Sequence, residues 1–378
     1  MPVGLYVHVP FCLKKCDYCD FVSFTAHRDG INQYLSSLAG EISLYSDTLS
    51  GEEKQVATLY IGGGTPTCLE TAGLANIIET IALHFDLSAC GEITVEANPG
   101  TVGLEKLRTL RRLGVNRISI GVQSCSDKHL RNLGRVHNFR EAVEAVTAAG
   151  EAGFENIGVD LIYGLPGQTA GEWRECLETV SCLGLRHISA YSLQIEQGTP
   201  IAGRIAAGEL NPCDEDVEAG MFSDTIKVLK DKGYRHYEIS NFALPGRECL
   251  HNQIYWRNQP YLGLGPAAHS YFRGARYANP SALEEYNSAI AAGRPAFIDA
   301  QTVSPETEMS ETVFLGLRLI EGLDLKGFSQ RFGKKIEDVY GGRIRGLVRD
   351  GLLEYAGGFL RLTERGMELG NRVFSEFV

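Results

Sequence analysis

The chain has 378 residues, 44% of them hydrophobic, with 36 Lys and Arg against 47 Asp and Glu and a formal net charge of -11. That composition suits an ordinary water-soluble protein with one large domain and a small one, and its acidity argues against a broad nucleic-acid footprint. No apolar run is long enough to span a membrane and no signal peptide is recognisable, so the expected compartment is a reducing cytoplasm.

The first predicted strand, residues 5–9, leads at once into VPFCLKKCDYCDF, where Cys12, Cys16 and Cys19 lie within eight residues. The spacing C-x3-C-x2-C puts three thiols in a loop at a strand's carboxyl end, where α/β barrels carry their chemistry. Three thiolates can hold three irons of a [4Fe-4S] cluster and leave the fourth iron open to another ligand. A zinc site would want a second Cys or His pair, and none follows at a comparable spacing. A chain of this size needs no disulfide framework, and the other seven cysteines are scattered as reduced thiols are.

Further predicted strands at 57–61, 92–96, 117–122, 158–163 and 187–194 alternate with helical stretches near 31–48, 73–85, 104–113, 140–149, 171–183 and 217–232. Six βα units make a parallel sheet, and polar or glycine-rich strand ends favour one shared concave face: a partial (β/α)6 barrel over 1–233. The rhythm breaks after Gly233. An accessory α+β region is expected over 234–302, then three helical stretches and a hairpin, a winged-helix-like domain over 303–378. Arg343, Arg345 and Arg349 fall on its third helix, but eleven Lys and Arg against twelve Asp and Glu from 301 onward favour a packing module over a DNA reader.

Chemistry-bearing residues recur at the strand ends. Gly62-Gly63-Gly64-Thr65-Pro66 lets a ligand approach the backbone closely. Glu96, Gln123 and Asp160 close the next strands, and Arg135 in LGRVHN offers a cation for a ligand carboxylate. Each alone is equally a satisfied polar residue; their shared placement makes a candidate site. In CLHNQIYW, His251 could ligate haem iron beside the flat surfaces of Tyr255 and Trp256, or be structural. No C-x-x-C-H run supports covalent haem attachment.

CLKKCDYC, GGGTP, VEANPG, ISIGVQS, LGRVHN and VDLIYGLPGQT together resemble the radical S-adenosylmethionine proteins, in the branch of oxygen-independent coproporphyrinogen III oxidase, and CDF and HNQIYW resemble that branch's haem chaperones. The resemblance implies that S-adenosylmethionine chelates the open iron of a cluster held by Cys12, Cys16 and Cys19. Tyr6 and the Phe21 backbone would flank cluster and adenosyl group; Gly63, Gly64 and Thr65 would line the methionine; Glu96, Gln123, Arg135 and Asp160 would hold the ribose and amino-acid ends, with Arg135 on the carboxylate. It also implies His251 as axial haem ligand with Tyr255 and Trp256 beside it. Phe21 stands where the oxidase has a fourth cysteine, and the oxidase's extension before the first strand is missing, which puts decarboxylation of coproporphyrinogen III in doubt. The implied partners are haem or porphyrin, an acceptor haemoprotein, a reduced electron donor and a second copy in a homodimer. No nucleic acid is expected, and the charge disfavours RNA modification.

Overall fold

The structure is a computed structural model and describes residues 2–378. β1 (Val3–Val9) opens the chain, and the cysteine loop behind it holds a small ladder of β2 (Phe11–Cys12) and β3 (Phe24–Thr25). β4 (Val56–Gly63), β5 (Glu92–Ala97), β6 (Arg117–Gln123), β7 (Asn156–Tyr163) and β8 (His187–Ser192) then pair side by side in chain order, all parallel to β1. Helices Arg28–Thr48, Thr71–His84, Leu104–Arg112, Phe139–Glu151 and Ala170–Ser181 make the crossovers. Two begin at capping boxes, Asn138 with Glu141 and Thr169 with Glu172, because each pair satisfies two otherwise orphaned backbone donors. The partial (β/α)6 barrel expected from the alternation is present.

The strands' two faces differ in chemistry. Leu59, Ile61, Val95, Ile118, Ile120 and Val159 face the helices in one continuous core, each burial favouring the fold by roughly 1.5–3 kcal/mol. Their neighbours in the opposite phase, including Tyr60, Glu96, Ser119, Asp160 and Ser189, face a common concavity. A barrel this open leaves its interior polar and accessible, whereas a closed one would fill it with side chains.

The accessory region, 234–302, does not form a sheet of its own. β9 (Arg235–Glu238) and β10 (Asn241–Ala243) extend the β8 edge antiparallel. β11 (Tyr261–Leu264) pairs parallel with β1 on the opposite side, and β12 (His269–Phe272), β13 (Ala275–Ala278) and β14 (Ile298–Thr302) continue outward antiparallel, completing a twelve-stranded sheet. Between the two additions, helix Leu250–Trp256 runs under the barrel. The last predicted barrel strand overshoots: β8 ends at Ser192, and Gln194 lies in a loop bordering the concavity.

Helices Pro305–Gly316, Leu325–Phe332 and Ile336–Arg349 and the sheet of β15 (Leu323–Asp324), β16 (Leu353–Ala356) and β17 (Phe359–Leu362) pack around a separate core of Val313, Phe328, Ile344 and Leu360. This is the winged-helix-like arrangement. Ion pairs Arg257–Glu321 and Arg276–Glu311, each 2.7 Å, tie it to the accessory strands. Among the described residues no helix is long and apolar enough to cross a membrane.

Candidate functional site

The cysteine loop is held from several sides. His8 in β1 receives the Tyr6 hydroxyl at Nδ1 (3.0 Å), and its Nε2 meets the Val22 carbonyl (2.9 Å), so strand and loop return are linked through one imidazole. Burial lowers the His8 pKa, which keeps that ring neutral and leaves Nε2 as the proton donor. Lys15 Nζ donates to the Phe21 carbonyl (3.0 Å), and the Asp17 amide to the Leu133 carbonyl (2.9 Å). That second contact explains LGRVHN: Gly134 has φ +71°, and a Cβ there would stand 2.4 Å from Asp17 Oδ1. The close approach brings Arg135 onto the loop, with Nη1 3.4 Å from Cys16 Sγ and Nη2 2.8 Å from the Gly121 carbonyl.

Cys12, Cys16 and Cys19 are free thiols bordering a cavity of about 560 Å3 at the carboxyl ends of the strands. Among the described residues no three His, Cys, Asp or Glu side chains converge on one ion. Thiols set apart around a shared space suit a polynuclear centre, in which each sulfur meets a different iron. Of the expected cofactor residues, Phe21, Gly63, Gly64, Thr65, Glu96, Gln123, Arg135 and Asp160 all border the same cavity. Tyr6 does not: its ring lies in a stack beneath, 6.2 Å from Tyr60 and 6.5 Å from His251.

The cavity's electrostatics call for a cationic ligand that also carries an anion. Glu96 accepts from the Tyr60 hydroxyl (2.7 Å) and the Gly63 amide (3.1 Å), yet burial and nearby Asp160 push its pKa up to about 7. Burial raises Asp160 as well, against hydrogen bonds from Ser189 and Ser119, the latter at 3.3 Å. Two buried carboxylates with raised pKa values are relieved by a cation. Arg135 Nε, a buried donor without a partner among the described residues, is left for an anion. S-adenosylmethionine, with its sulfonium, ammonium and carboxylate, fits both demands. Gln123 closes β6 with φ +67°, a left-handed turn at a bulge that ends the strand beside the ligand space.

Three participants escaped the sequence reading. Asn98 donates to Thr65 Oγ1 (2.7 Å) and accepts from Arg135 Nη2, joining two motif segments. Tyr60 and Arg117 lie on the inward phase of β4 and β6, Tyr60 in register with Tyr6 and Arg117 in the phase of Ser119 on its own strand, and this shared phase was the available signal. Arg117 is fully buried, and its Nε and Nη1 have no partner among the described residues.

The HNQIYW segment forms helix Leu250–Trp256, whose first amides are received by the Glu92 carboxylate at 3.0 Å (Leu250) and 3.2 Å (His251). His251 is 1% exposed. Its Nδ1 lies 2.7 Å from Thr58 Oγ1, its Nε2 2.8 Å from the Tyr255 hydroxyl, and its ring stacks on Tyr60 at 5.1 Å. Burial and the Arg117 charge push its pKa down to about 3, so the ring is neutral with both nitrogens engaged. His251 and Tyr255 therefore border neither large cavity and offer no open nitrogen to an iron in this conformation. Trp256, at the helix's far end, borders a second cavity of about 710 Å3, between the accessory strands and the C-terminal module.

Comparison with known proteins agrees with this geometry at both ends of the chain. Residues 6–180 match the radical SAM superfamily and residues 303–369 the HemN C-terminal domain. Along its whole length the chain is 37% identical to the haem chaperone HemW of Lactococcus lactis, spanning 97% of that protein, and 32% identical to HemW of Escherichia coli, spanning 98%. The solved structure of E. coli coproporphyrinogen III oxidase (HemN), a radical SAM enzyme, superposes with a TM-score of 0.86 at 25% identity, over all of this chain and 90% of that one. Membership of the radical SAM superfamily implies a [4Fe-4S] cluster and S-adenosylmethionine. Because the likeness runs through cysteine loop, strand ends, accessory strands and C-terminal module alike, the chain belongs to the HemW family of radical SAM proteins.

Proposed function

We propose that this protein is a cytoplasmic haem chaperone that binds haem and passes it to an acceptor haemoprotein, with a cluster and exchangeable S-adenosylmethionine on the barrel. The observation that carries the reading is the end-to-end likeness to HemW proteins, coupled with Phe21 where the oxidase family has its fourth cysteine. In this division of labour, residues 1–233 hold the cofactors, 234–302 bear the haem-associated helix, and 303–378 complete the second cavity.

On the barrel, Cys12, Cys16 and Cys19 would hold the cluster, and Arg135 would take the methionyl carboxylate, its Nε having no partner among the described residues. Gly63, Gly64 and Thr65 would lie along the methionine; Glu96 and Asp160 would share the ammonium and ribose ends, with Gln123 beside them and Tyr6 beneath, behind Tyr60. Cluster and S-adenosylmethionine held there would supply one-electron reductive chemistry at the sulfonium, the electron coming from an external donor and methionine leaving as the other product of the broken C–S bond. The chain's own work is to orient the ligand and keep water from it. A volume of about 560 Å3 is ordinary for one small ligand, and cluster and S-adenosylmethionine share it. A tetrapyrrole acted on there would need the rim around Phe21 and Tyr191 to open.

The oxidase reading has one observation in its favour, the full-length superposition on HemN. The test is anaerobic. Reconstituted protein is titrated with haem and assayed beside it for protoporphyrinogen IX formation from coproporphyrinogen III with reductant and S-adenosylmethionine. One haem bound per chain, transfer to an apo-haemoprotein and no turnover are the expected results. Turnover without stoichiometric haem would replace the chaperone by an oxidase.

A further inference from the structure

We propose that haem sits in the second cavity, as a porphyrin site that does not depend on iron. The macrocycle would lie against Trp256, and its two carboxylates would meet Arg257 and Arg273. The proposal rests on the chaperone reading and specifies where and how the cargo is held.

The cavity has the size and chemistry for a flat amphiphile. Its volume is about 710 Å3, and Trp256, Tyr271, Phe272, Leu319, Leu323 and Phe328 supply apolar and aromatic wall. Three arginines, Arg257, Arg273 and Arg331, border it, each paired with one carboxylate, Glu321, Glu53 and Glu308 respectively. Arg331 is consumed within the site by Glu308 and the Tyr271 hydroxyl. Arg257 and Arg273 differ. Arg257 pairs with Glu321 and Gln253 through Nη2 alone, and Arg273 pairs with Glu53 and the Thr48 carbonyl through Nε and Nη2. A guanidinium has five N–H donors, so both keep some for a ligand carboxylate. Both are about half exposed, as residues meeting the polar edge of a half-buried ligand should be.

Iron plays no part in this recognition. The cavity's border has no His, Cys or Met, and the Tyr271 hydroxyl is engaged by Glu308 at 2.9 Å. His251, on the same short helix as Trp256, is closed off between Thr58 and Tyr255. It acts as a positioning residue that fixes the helix, and through it the Trp256 ring. A carrier that leaves the iron unligated leaves it for the acceptor's own axial ligand, so transfer needs no strong bond to break. The wall is shared between the sheet and the C-terminal module, and the Arg257–Glu321 and Arg276–Glu311 pairs cross that junction. Ligand sites commonly form at such junctions.

The experiment compares haem with metal-free protoporphyrin IX by absorbance titration of the anaerobic holoprotein. Wild type should bind one equivalent of each, with dissociation constants within about tenfold. Gln330→Trp and Gln259→Trp place bulk at exposed rim positions and should weaken both ligands at least tenfold, with cluster absorption and S-adenosylmethionine affinity unchanged. Arg257→Gln with Arg273→Gln should do the same. Haem bound tightly while the metal-free porphyrin is not would overturn the site, and so would haem binding lost in His251→Ala yet unchanged in both rim variants. Either result leaves the chaperone reading standing. A wild type that binds no haem removes both.

Discussion

The two cavities touch one seven-residue helix, the barrel cavity at Asn252 and the second at Trp256, and are built differently. The barrel cavity is assembled from the ends of consecutive strands, each bringing one polar group in a phase set by the period of a β-strand. Its charges are interlocked around the ligand space, with the Glu96 pKa raised to about 7 and Arg135 Nε without a partner among the described residues. The second cavity draws on segments from Trp256 to Arg331, its arginines are exposed and singly paired, and its walls are mainly apolar. A rigid, preorganised site suits a cofactor that must be held for chemistry; a shared, looser one suits a cargo that must leave.

Breaking the first site should leave the second intact, and the largest effect is expected at the thiols. Cys16→Ala should abolish the cluster's visible absorption while protoporphyrin titrations stay unchanged; full iron and sulfide content in that variant would sink the cluster assignment. Next comes Arg135→Ala, which should retain iron but weaken S-adenosylmethionine by about a hundredfold, in line with roughly 2–3 kcal/mol for a buried charge-assisted pair. Unchanged affinity in equilibrium dialysis would take Arg135 out of the site.

Glu96 gives a pH signature that the second cavity lacks. Its pKa is raised to about 7, so the free protein holds a proton there that a cationic ligand must displace as pH falls below 7. S-adenosylmethionine affinity should therefore drop by up to about tenfold per pH unit toward pH 5, and Glu96→Gln should flatten that slope. Gly134→Ala tests the clamp on the cysteine loop. The left-handed φ alone should destabilise by about 1–2 kcal/mol, and displacement of Asp17 should loosen cofactor binding before porphyrin binding; an unaltered melting temperature would refute the clamp.

The last effect concerns the helix that touches both cavities. His251 has a folded pKa near 3, well below its ordinary value of 6.5, so the unfolded chain takes up a proton that the folded one refuses. Its stabilising contribution is complete above pH 6.5 and is lost as pH falls toward 3, about 2 kcal/mol by pH 5. His137 and His236, both lowered to about 4, act in the same direction. His251→Gln should reduce the fall in melting temperature between pH 7 and pH 5, and an identical acid profile would show that the ring titrates freely.

The barrel and its site were largely legible in the sequence because both follow local rules. A strand's period of two sorts core from cavity, a glycine run marks close approach, and C-x3-C-x2-C confines three thiols to one loop. Tyr60 and Arg117 could have been found by the same phase. The accessory region was not legible in that way. β11 pairs with β1 across more than two hundred intervening residues, and no local pattern in YLGL announces a parallel partner so distant. The same gap concealed the surroundings of His251: a histidine followed by two aromatics reads equally as a haem ligand or a structural residue until Thr58, Tyr60 and Glu92, all far away in sequence, are seen to close around it.

By itself, then, the sequence determined the parallel barrel, the three-thiol loop and the polar strand ends, since hydrophobic periodicity and motif spacing act over a few residues. The tertiary structure alone decided which faces meet. It joined the accessory strands to both edges of one sheet, sealed His251 inside, turned Trp256 toward a second cavity and set the C-terminal module against it, because those outcomes depend on long-range pairing and mutual burial that no local segment encodes.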